Sequence, residues 1–372
     1  MSDSFVQVFL PFRQDASLRD EYSSHFGKIR VGKVLEDLDA LGGYIAYLHV
    51  VGASIPLAVV TASVDRMDMH GELPVDRDVS LSGHVSYVGK SSMEVTIKVM
   101  AVLPESGITL ADMDSIKFLK TPLPASALSD QLILTAKFIM VSLDPATQRP
   151  SPSPQLILET DAEKELFALG AAHKSRKLQS AQNSLAQHPP TPSELSLVHT
   201  LYKEYMQYLD PSTGKQKPEN VTWMEDTKLQ NTVLTFPQDR NLHNKIFGGH
   251  LMRLAFELGY LAGAMFSKRP LQFVALDDIA FKRQVEVGSV LDLIANVVYS
   301  TEEGKMVVRV KAYVVQIGDA EKTKFLSNEF WITFVSIGGV EGKKMRVLPK
   351  SYEECMGYLE GKRRLEGPTV GN

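Results

Sequence analysis

Two stretches of the chain carry apolar residues at helical spacing with few polar interruptions. The first begins at Val31 and reads VGKVLEDLDALGGYIAYL, and the second begins at Phe247 and reads FGGHLMRLAFELGYLAGAM. Because apolar positions recur three and four residues apart around most of each stretch, the pattern predicts two helices that are buried on most sides.

Strand-like segments follow each predicted helix. PLAVVTASVDRMDM and LQFVALDDIAF come first, and SGHVSYVGKSSMEVTIKVMAV and SVLDLIANVVYSTEEGKMVVRVKAYVV come next. Each block then closes on a β-rich run, TAKFIMVSL or EFWITFVSI. Since the same order of one helix and four strands occurs twice, it favours an internal duplication over a coincidence. It predicts an α+β fold in which a curved antiparallel sheet wraps around each helix.

A break in composition separates the two blocks. Between about Pro145 and Asn220 the chain contains QRPSPSPQ, AQNSLAQHPPTPSE and LDPSTGKQKPEN, three stretches rich in Pro and Ser, and a helical pattern at AEKELFALGAAHKSRK. We therefore expect four parts: an N-terminal domain at 1–145, a connector with short helices at 146–219, a C-terminal domain at 220–345 and a tail at 346–372.

Composition excludes several classes of function. Lys and Arg number 40 against 44 Asp and Glu, a net charge of −4, so the chain as a whole has no electrostatic reason to bind nucleic acid or an anionic membrane. A single cysteine, Cys355, excludes intrachain disulfides and a cysteine metal cage. No apolar run approaches the roughly 18 residues that span a bilayer, so no membrane insertion is expected.

Familiar catalytic and cofactor motifs are missing from the sequence. It contains no GxSxG, HExxH or GxGxxG, so neither a metal nor a cofactor is expected. The first residues, MSDSFVQVFLPFRQDASLRDEY, carry several acidic side chains, unlike a transit or signal peptide. We therefore expect no targeting segment in the chain as given.

The segment GHVSYVGKSS resembles the end of a phosphate-binding P-loop at Gly89, Lys90 and Ser91. A P-loop needs glycine where His84 stands and a helix afterwards, whereas MEVTIKV alternates as a strand. A hairpin turn is favoured. Lys90 and the serine hydroxyls could still hold the phosphate of a ligand.

The segment NLHNKIFGGHLMR is a sharper candidate site. Gly248 and Gly249 open the second helix, where free backbone N–H groups would stabilise a developing oxyanion. Asn241 stands just upstream, where its amide could bind a carbonyl or a water. Ordinary helix capping by this asparagine is the alternative.

The first block carries an acid where the second has none. Aligning the glycines that open the two helices brings Asp39 opposite Phe256 and Ser24 opposite Asn241. Asp39 is flanked by leucines, so we expect it to be buried and to have a raised pKa that suits a general base.

The neighbouring acids Glu36 and Asp37 are expected on a solvated helix face. One block thus supplies an acid without the amide, and the other supplies the amide without an acid. A two-fold pairing of the blocks would join Asp39 and Asn241 into one complete site.

These residues resemble a known family. RNLHNKIFGGHLMRLAFELGYLAGAMF and ALDDIAFKRQVEVGSVL, with VGKVLEDLDALG, VTASVDRMDM and SGHVSYVGKSSMEV in the first block, are similar to the hotdog-fold acyl-coenzyme A thioesterases, above all the mitochondrial acyl-coenzyme A thioesterase 9 group. EKELFALG and VTWMEDTKL agree as well, so the likeness covers nearly the whole chain.

The resemblance implies two hotdog domains that hydrolyse acyl-coenzyme A to free fatty acid and coenzyme A. In related double-hotdog enzymes an Asn ahead of one helix works with an Asp inside the other, and the matching positions here are Asn241 and Asp39. Brain-type relatives take the Asn from the first domain, so this chain reverses the order. The resemblance also implies coenzyme A contacts along one strand and one loop, at Val60, Thr61, Ala62, Ser63, Gly89, Lys90 and Ser91.

The resemblance further implies a homo-oligomer and a mitochondrial location, with a cytoplasmic location as the alternative. Two other activities stay open. One is an acyl-coenzyme A binding or regulatory protein with little hydrolysis. The other is a hydratase or dehydratase, which ranks third because that chemistry needs a histidine paired with an acid, and only His243 and His250 stand near a helix start.

Overall fold

The computed structural model describes residues 1–24, 27–53, 55–73, 75–103, 118–119, 123, 125–182, 185, 188–316, 324–338 and 344–366. These residues form two compact units. Unit 1 contains Met1–Ser175, Phe247–Arg253 and Asp278–Lys282. Unit 2 contains Arg176–Ile246, Leu254–Asp277 and Arg283–Asn372.

Unit 1 combines a long helix with antiparallel strands. Its elements are β1 (Val6–Leu10), α1 (Ala16–Tyr22), α2 (Val31–Val50), β2 (Ala58–Val64), β3 (Met67–Met69), β4 (Val79–Val88), β5 (Ser92–Val102), β6 (Phe118–Leu119), β7 (Leu128–Leu143), α3 (Asp161–Gln182, in this unit up to Ser175) and β11 (Ile279–Ala280). Short 3₁₀ helices occupy Ser2–Ser4 and Ala125–Ala127.

The sheet of unit 1 runs in the order β6-β1-β4-β5-β7, β2 and β3 both pair with β7, and β11 pairs with β2. Helix α2 packs on this sheet through fully buried side chains that include Leu35, Leu38 and Ile45. At Gly42 an added Cβ would lie 3.1 Å from Met140 Cε, so the glycine lets the helix approach β7 closely.

Helix α3 lies against the sheet of unit 1, within the segment that the sequence predicts as a connector. A Cβ added at Gly170 would lie 2.4 Å from Tyr87 Cβ, and the rings of Tyr87 and Phe167 are 4.9 Å apart. This packing accounts for the extension of the first segment of unit 1 to Ser175.

Unit 2 has a similar set of elements. They are α4 (Pro192–Leu209), β8 (Val221–Trp223), β9 (Leu229–Leu234), α5 (Gly248–Ser267, in this unit from Leu254), β10 (Leu271–Leu276), β12 (Val290–Ser300), β13 (Lys305–Val315), β14 (Lys324–Ser336), β15 (Arg346–Leu348) and α6 (Tyr352–Glu366). Short 3₁₀ helices occupy Pro211–Thr213, Glu225–Thr227 and Pro237–Asp239.

The sheet of unit 2 is antiparallel in the order β10-β14-β13-β12-β9, and β8 pairs with β15 in parallel. Aromatic side chains join α5 to the sheet: the ring of Phe256 lies 5.2 Å from that of Phe273 and 5.6 Å from that of Phe334. Helix α6 packs where a Cβ on Gly361 would lie 2.9 Å from Tyr299 Cβ.

The predicted mixture of helix and antiparallel sheet is confirmed, with α2 and α5 where the apolar periodicity places them. Helix α6 falls in the segment 346–372, for which the sequence predicts only a tail; residues 367–372 lie outside the described part. Among the helices that the structure describes, none has the length and apolar character needed to cross a bilayer.

Candidate active site around Asp39

Asp39 is the buried acid of unit 1. It is the ninth residue of α2, and only 1% of its surface is exposed. Leu35 stands one helical turn earlier and Leu38 beside it, both fully buried, so the carboxyl group lies on the apolar side of the helix. The flanking leucines therefore predicted its burial correctly.

Both carboxylate oxygens of Asp39 accept hydrogen bonds. The Thr61 hydroxyl donates to Oδ1 at 2.9 Å, and the backbone N–H of Gly249 donates to Oδ2 at 2.6 Å. Gly249 stands in the first turn of α5, where N–H groups have no partner in the helix and favour a negative charge. These two donors are what allow an acid to be buried here.

The same environment sets the proton affinity of Asp39. Burial raises the pKa of its carboxyl from the ordinary 3.8 to about 6, while the hydrogen bonds from Thr61 and Gly249 limit the rise. A carboxylate with this pKa is largely ionised at neutral pH and accepts a proton more readily than a solvated aspartate does. It therefore has the properties of a general base.

The two glycines at the start of α5 are required by close contacts. A Cβ on Gly248 would lie 2.9 Å from Asp39 Oδ2, and a Cβ on Gly249 would lie 2.9 Å from the backbone of Glu36. Gly249 donates its N–H to Asp39, whereas the N–H of Gly248 has no hydrogen-bond partner among the residues the structure describes. Of the two N–H groups predicted to bind an oxyanion, only that of Gly248 is therefore uncommitted.

Glu36 does not lie on a solvated face, contrary to the expectation from the sequence. Its Oε2 accepts a hydrogen bond from Arg253 Nη1 at 2.9 Å, and His250 Nδ1 lies 3.7 Å from Oε1. Burial raises the pKa of Glu36, but the hydrogen bond with His250 and the charges of Arg253 and Lys33 bring it below its ordinary value. This ion pair fixes the first turn of α5 beside α2 within unit 1.

Asp37 also departs from the predicted solvated face. It accepts a hydrogen bond from the Tyr22 hydroxyl at 2.6 Å. Burial raises the pKa of Asp37 to about 6. The hydrogen bond from Tyr22 and the charge of Lys33 lower the pKa but do not cancel the effect of burial. Unit 1 therefore holds two acids of similar basicity on one helix, of which only Asp39 contacts the glycine pair.

Asn241 lies in a tight loop of unit 2. Its side-chain oxygen accepts hydrogen bonds from the backbone N–H groups of His243 at 2.9 Å and Lys245 at 3.1 Å. Its own N–H donates to Lys245 O at 2.7 Å, and Asn244 has a φ of 62°. The side-chain Nδ2 makes no hydrogen bond with a described residue, so it keeps a donor for a ligand. The pairing of Asn241 with Asp39 stays a prediction.

The predicted coenzyme A strand is β2. Its register with β7 shifts between Thr61 and Ser63, which leaves Ala62 as a bulge. Ala62 O accepts a hydrogen bond from Phe281 N–H at 3.0 Å, and Ser63 pairs with Ala280 of β11. Thr61, predicted as a coenzyme A contact like Val60, directs its hydroxyl to Asp39.

The predicted phosphate loop, Gly89–Ser91, is the turn between β4 and β5, as the hairpin interpretation requires. Gly89 O accepts a hydrogen bond from Gln155 Nε2 at 3.0 Å, and Lys90 O accepts one from Ser153 N–H at 2.9 Å. Lys90 is exposed, and Lys174 Nζ lies 3.1 Å from the Cβ position of Gly89. The loop is thus rigidly held with two cationic side chains beside it.

Three features around these residues are not predicted by the sequence pattern: the hydrogen bond from Thr61 to Asp39, the ion pair of Glu36 with Arg253, and Lys174 beside Gly89. The ion pair offered one signal, since aligning the two helices places the acidic Glu36 opposite the basic Arg253. Nothing in the local pattern singled out Thr61 among the polar residues of its strand.

Known proteins resemble the chain over its whole length. No protein-family model matches it. Bovine mitochondrial acyl-coenzyme A thioesterase 9 is 37% identical over 378 residues, which cover 100% of this chain and 79% of that protein. Mouse mitochondrial acyl-coenzyme A thioesterase 10 is 35% identical over 376 residues, which cover 99% of this chain and 78% of that protein.

A solved structure is also similar to part of the chain. It is an acyl-CoA hydrolase from Staphylococcus aureus in complex with butyryl coenzyme A, coenzyme A and coenzyme A disulfide, 24% identical, with a TM-score of 0.37 over 39% of this chain and 88% of that one. Family membership rests on the full-length relatives. Because these are 35–37% identical over nearly the entire chain, the protein belongs to the acyl-coenzyme A thioesterases, thioester hydrolases, in the group of the mitochondrial thioesterases 9 and 10.

Proposed function

We propose that this chain hydrolyses acyl-coenzyme A to a free fatty acid and coenzyme A, with Asp39 as the general base. The observation that carries the proposal is a carboxylate that is 1% exposed, has a pKa raised to about 6 and contacts the glycine pair at a helix start. Membership of the thioesterase family supplies the reaction class.

In the proposed reaction, the oxygen of a water molecule attacks the thioester carbonyl carbon while Asp39 takes one of its protons. The C–O bond that forms produces a tetrahedral oxyanion. When the C–S bond breaks, the coenzyme A thiolate takes the proton back from Asp39, and the fatty acid leaves. The raised pKa of Asp39 suits both proton transfers at neutral pH.

The oxyanion needs hydrogen-bond donors aimed at the reacting centre. We assign the free N–H of Gly248 to the oxyanion, whereas the N–H of Gly249 holds Asp39 in place. We assign Nδ2 of Asn241 to the attacking water or the thioester. Its Oδ1 is already used inside its own loop, which orients the amide.

Coenzyme A would lie along β2 at Val60–Ser63 and reach the loop at Gly89–Ser91, as the resemblance implies. Cationic side chains support the placement of its phosphates at that loop, because Lys90 is exposed there and Lys174 lies against Gly89. Thr61 would serve the site through Asp39, since its hydroxyl is committed to that carboxylate.

We also propose that the two units are duplicated hotdog domains. Helices α2 and α5 both have 20 residues, and the loops that precede them close alike: Ser24 N–H donates to Lys28 O at 2.6 Å, and Asn241 N–H donates to Lys245 O at 2.7 Å. Gly27 and Asn244 take positive φ values of 66° and 62° at the same place in each loop.

The helices that flank each sheet also correspond. Gly170 of α3 packs on Tyr87, and Gly361 of α6 packs on Tyr299. We predicted domains at 1–145 and 220–345, a connector at 146–219 and a tail at 346–372. Helix α3, from the connector segment, would complete the first domain, and helix α6, from the tail segment, would complete the second. A mitochondrial location is proposed from the names of these relatives. The homo-oligomeric assembly stays a prediction.

Thiol release from a panel of acyl-coenzyme A esters, from acetyl to palmitoyl, tests the function. We expect Asp39→Ala and Asp39→Asn to lower turnover by about 10²- to 10³-fold, because each removes the base. Asp37→Asn is the matched control: it removes an acid of similar basicity from the same helix and should leave turnover within a few-fold of wild type.

Circular dichroism and thermal unfolding would show that all three variants fold. Equal losses in Asp39→Asn and Asp37→Asn would remove the assignment of the base. If the wild type binds acyl-coenzyme A, seen as ligand-induced thermal stabilisation, yet releases no thiol from any ester, the chain is an acyl-coenzyme A binding protein and the proposal of hydrolysis fails.

A further inference from the structure

A basic cavity lies in unit 2, at the end of α5 and the start of β13. Its volume is about 190 Å³. Four cationic side chains and two serines contribute to its wall: Lys268, Arg269, Lys305, Lys344, Ser300 and Ser336. None of these residues belongs to the proposed thioesterase site.

The positive charge of this basic cavity is largely unneutralised. Lys268, Lys305 and Lys344 make no ion pair with a carboxylate anywhere in the described part of the chain. The pKa of the exposed Glu303 carboxyl is lowered mainly by its hydrogen bond with Thr301, and the charge of Lys305 makes a smaller contribution. Arg269 donates a hydrogen bond from Nη1 to Gly338 O at 2.9 Å, which holds its guanidinium in position.

Hydroxyl groups add hydrogen-bond donors to the wall. Ser300 is 7% exposed, and its Oγ accepts a hydrogen bond from Val347 N–H at 2.9 Å, so its own O–H is left to donate. Ser336 is 8% exposed, and its side chain has no hydrogen-bond partner among the described residues. Cations and hydroxyl donors together match an anion with several acceptor oxygens.

The serine at the corresponding place in unit 1 is bonded within the chain. There Ser142 N–H donates to Ser91 O at 2.8 Å, as Ser336 N–H donates to Gly304 O at 2.9 Å in unit 2. The Ser142 hydroxyl, however, is bonded to the Ser153 hydroxyl at 2.9 Å. Ser336 therefore lines the basic cavity in unit 2, whereas the corresponding Ser142 is bonded to another serine.

We infer that the basic cavity binds phosphate groups. Its volume is below the roughly 300–1,000 Å³ of pockets that enclose drug-sized ligands, so it fits a phosphate or diphosphate rather than a whole nucleotide. Such a group can come from a free inorganic anion or from the phosphorylated end of a larger molecule such as coenzyme A. The inference does not depend on the proposed hydrolysis.

Calorimetric titration of the full chain with sodium pyrophosphate tests the inference. We expect binding by the wild type and a Kd raised about 100-fold in Lys268→Gln/Lys344→Gln, since each charge-assisted contact is worth about tenfold. The matched control is Lys203→Gln/Lys228→Gln, which removes the same charge from exposed positions of unit 2 and should leave the Kd within about twofold.

Ser336→Ala gives a second test without any change of charge, and we expect it to raise the Kd several-fold. Titration with coenzyme A then separates the two sources. A loss of coenzyme A affinity in Lys268→Gln/Lys344→Gln assigns the cavity to the phosphates of coenzyme A, and an unchanged affinity assigns it to a free anion. Failure of the wild type to bind pyrophosphate at millimolar concentration, or equal weakening in both double-lysine variants, overturns the inference.

Discussion

The two long helices of this protein share a length and a local setting but differ in chemistry. Each residue of α5 stands 217 positions after its counterpart in α2, so Glu36 corresponds to Arg253 and Asp39 to Phe256. The strand that follows α2 has its bulge just after Thr61, and the strand that follows α5 has its bulge just after Phe273. Position by position, Asp39 and Thr61 in unit 1 stand where unit 2 has two phenylalanines.

The phenylalanine pair of unit 2 stabilises the fold in the ordinary way. Phe256 is 6% exposed and packs edge-to-face on Phe273 and Phe334. The acid of unit 1 is buried more deeply and gains hydrogen bonds instead of apolar contact. The aligned helix position therefore carries an aromatic ring that packs on the sheet in unit 2 and a buried, hydrogen-bonded carboxylate in unit 1.

The largest expected effect is on stability, and its sign differs between the two units. Phe256→Ala should lower the free energy of unfolding by about 3–5 kcal/mol, the usual cost of removing a buried phenyl ring. Asp39→Asn should raise it by up to about 3 kcal/mol at pH 7.5, because a pKa raised by about two pH units reflects a destabilised charge. Urea unfolding of both variants measures the two changes.

The pH dependence of the stability gained in Asp39→Asn shows whether the charge of Asp39 causes it. Since folding raises the pKa of Asp39 from 3.8 to about 6, the folded state binds that proton more tightly, and wild-type stability falls as pH rises through this window. The advantage of Asp39→Asn should therefore disappear below about pH 4. An advantage that stays constant from pH 4 to 7.5 would mean that the charge is not responsible.

The next largest expected effect is on turnover, and it comes from the loops that precede the two long helices. Asn241→Asp keeps the oxygen that closes its loop and removes the Nδ2 donor, so we expect turnover to fall about 10²- to 10³-fold with little change in stability. Ser24→Ala changes the corresponding residue of unit 1, whose Oγ accepts from Lys28 N–H at 3.2 Å, and should leave turnover nearly unchanged. Equal turnover in the two variants would contradict the division of labour between the units.

Periodicity was sufficient to predict the two long helices, because burial of α2 and α5 requires apolar residues at regular spacing, and the main strands that follow them. It was also sufficient for the burial of Asp39, whose neighbours are leucines. It could not reveal the contacts between residues distant in sequence, such as Gly249 N–H to Asp39 across 210 positions. For the same reason Glu36 was expected in solvent, although Arg253 binds it. Helix α6 was missed because its buried face is made largely of glycine, cysteine and a single leucine.

The smallest expected effect concerns the proton affinity of Asp39. Its hydrogen bond from Thr61 favours the ionised form, so Thr61→Val, which keeps the shape and removes the hydroxyl, should raise the pKa of the carboxyl. A net hydrogen bond of about 0.5–1.5 kcal/mol corresponds to a shift of about half to one pH unit. The acid limb of the kcat/KM profile, expected near pH 6 in the wild type, should move to higher pH by that amount.

Val59 lies two residues away in the same strand and is buried, so Val59→Ala is a control that disturbs packing without touching the acid. An acid limb that moves equally in both variants would mean that packing of the strand, and not the hydroxyl of Thr61, sets the basicity of Asp39.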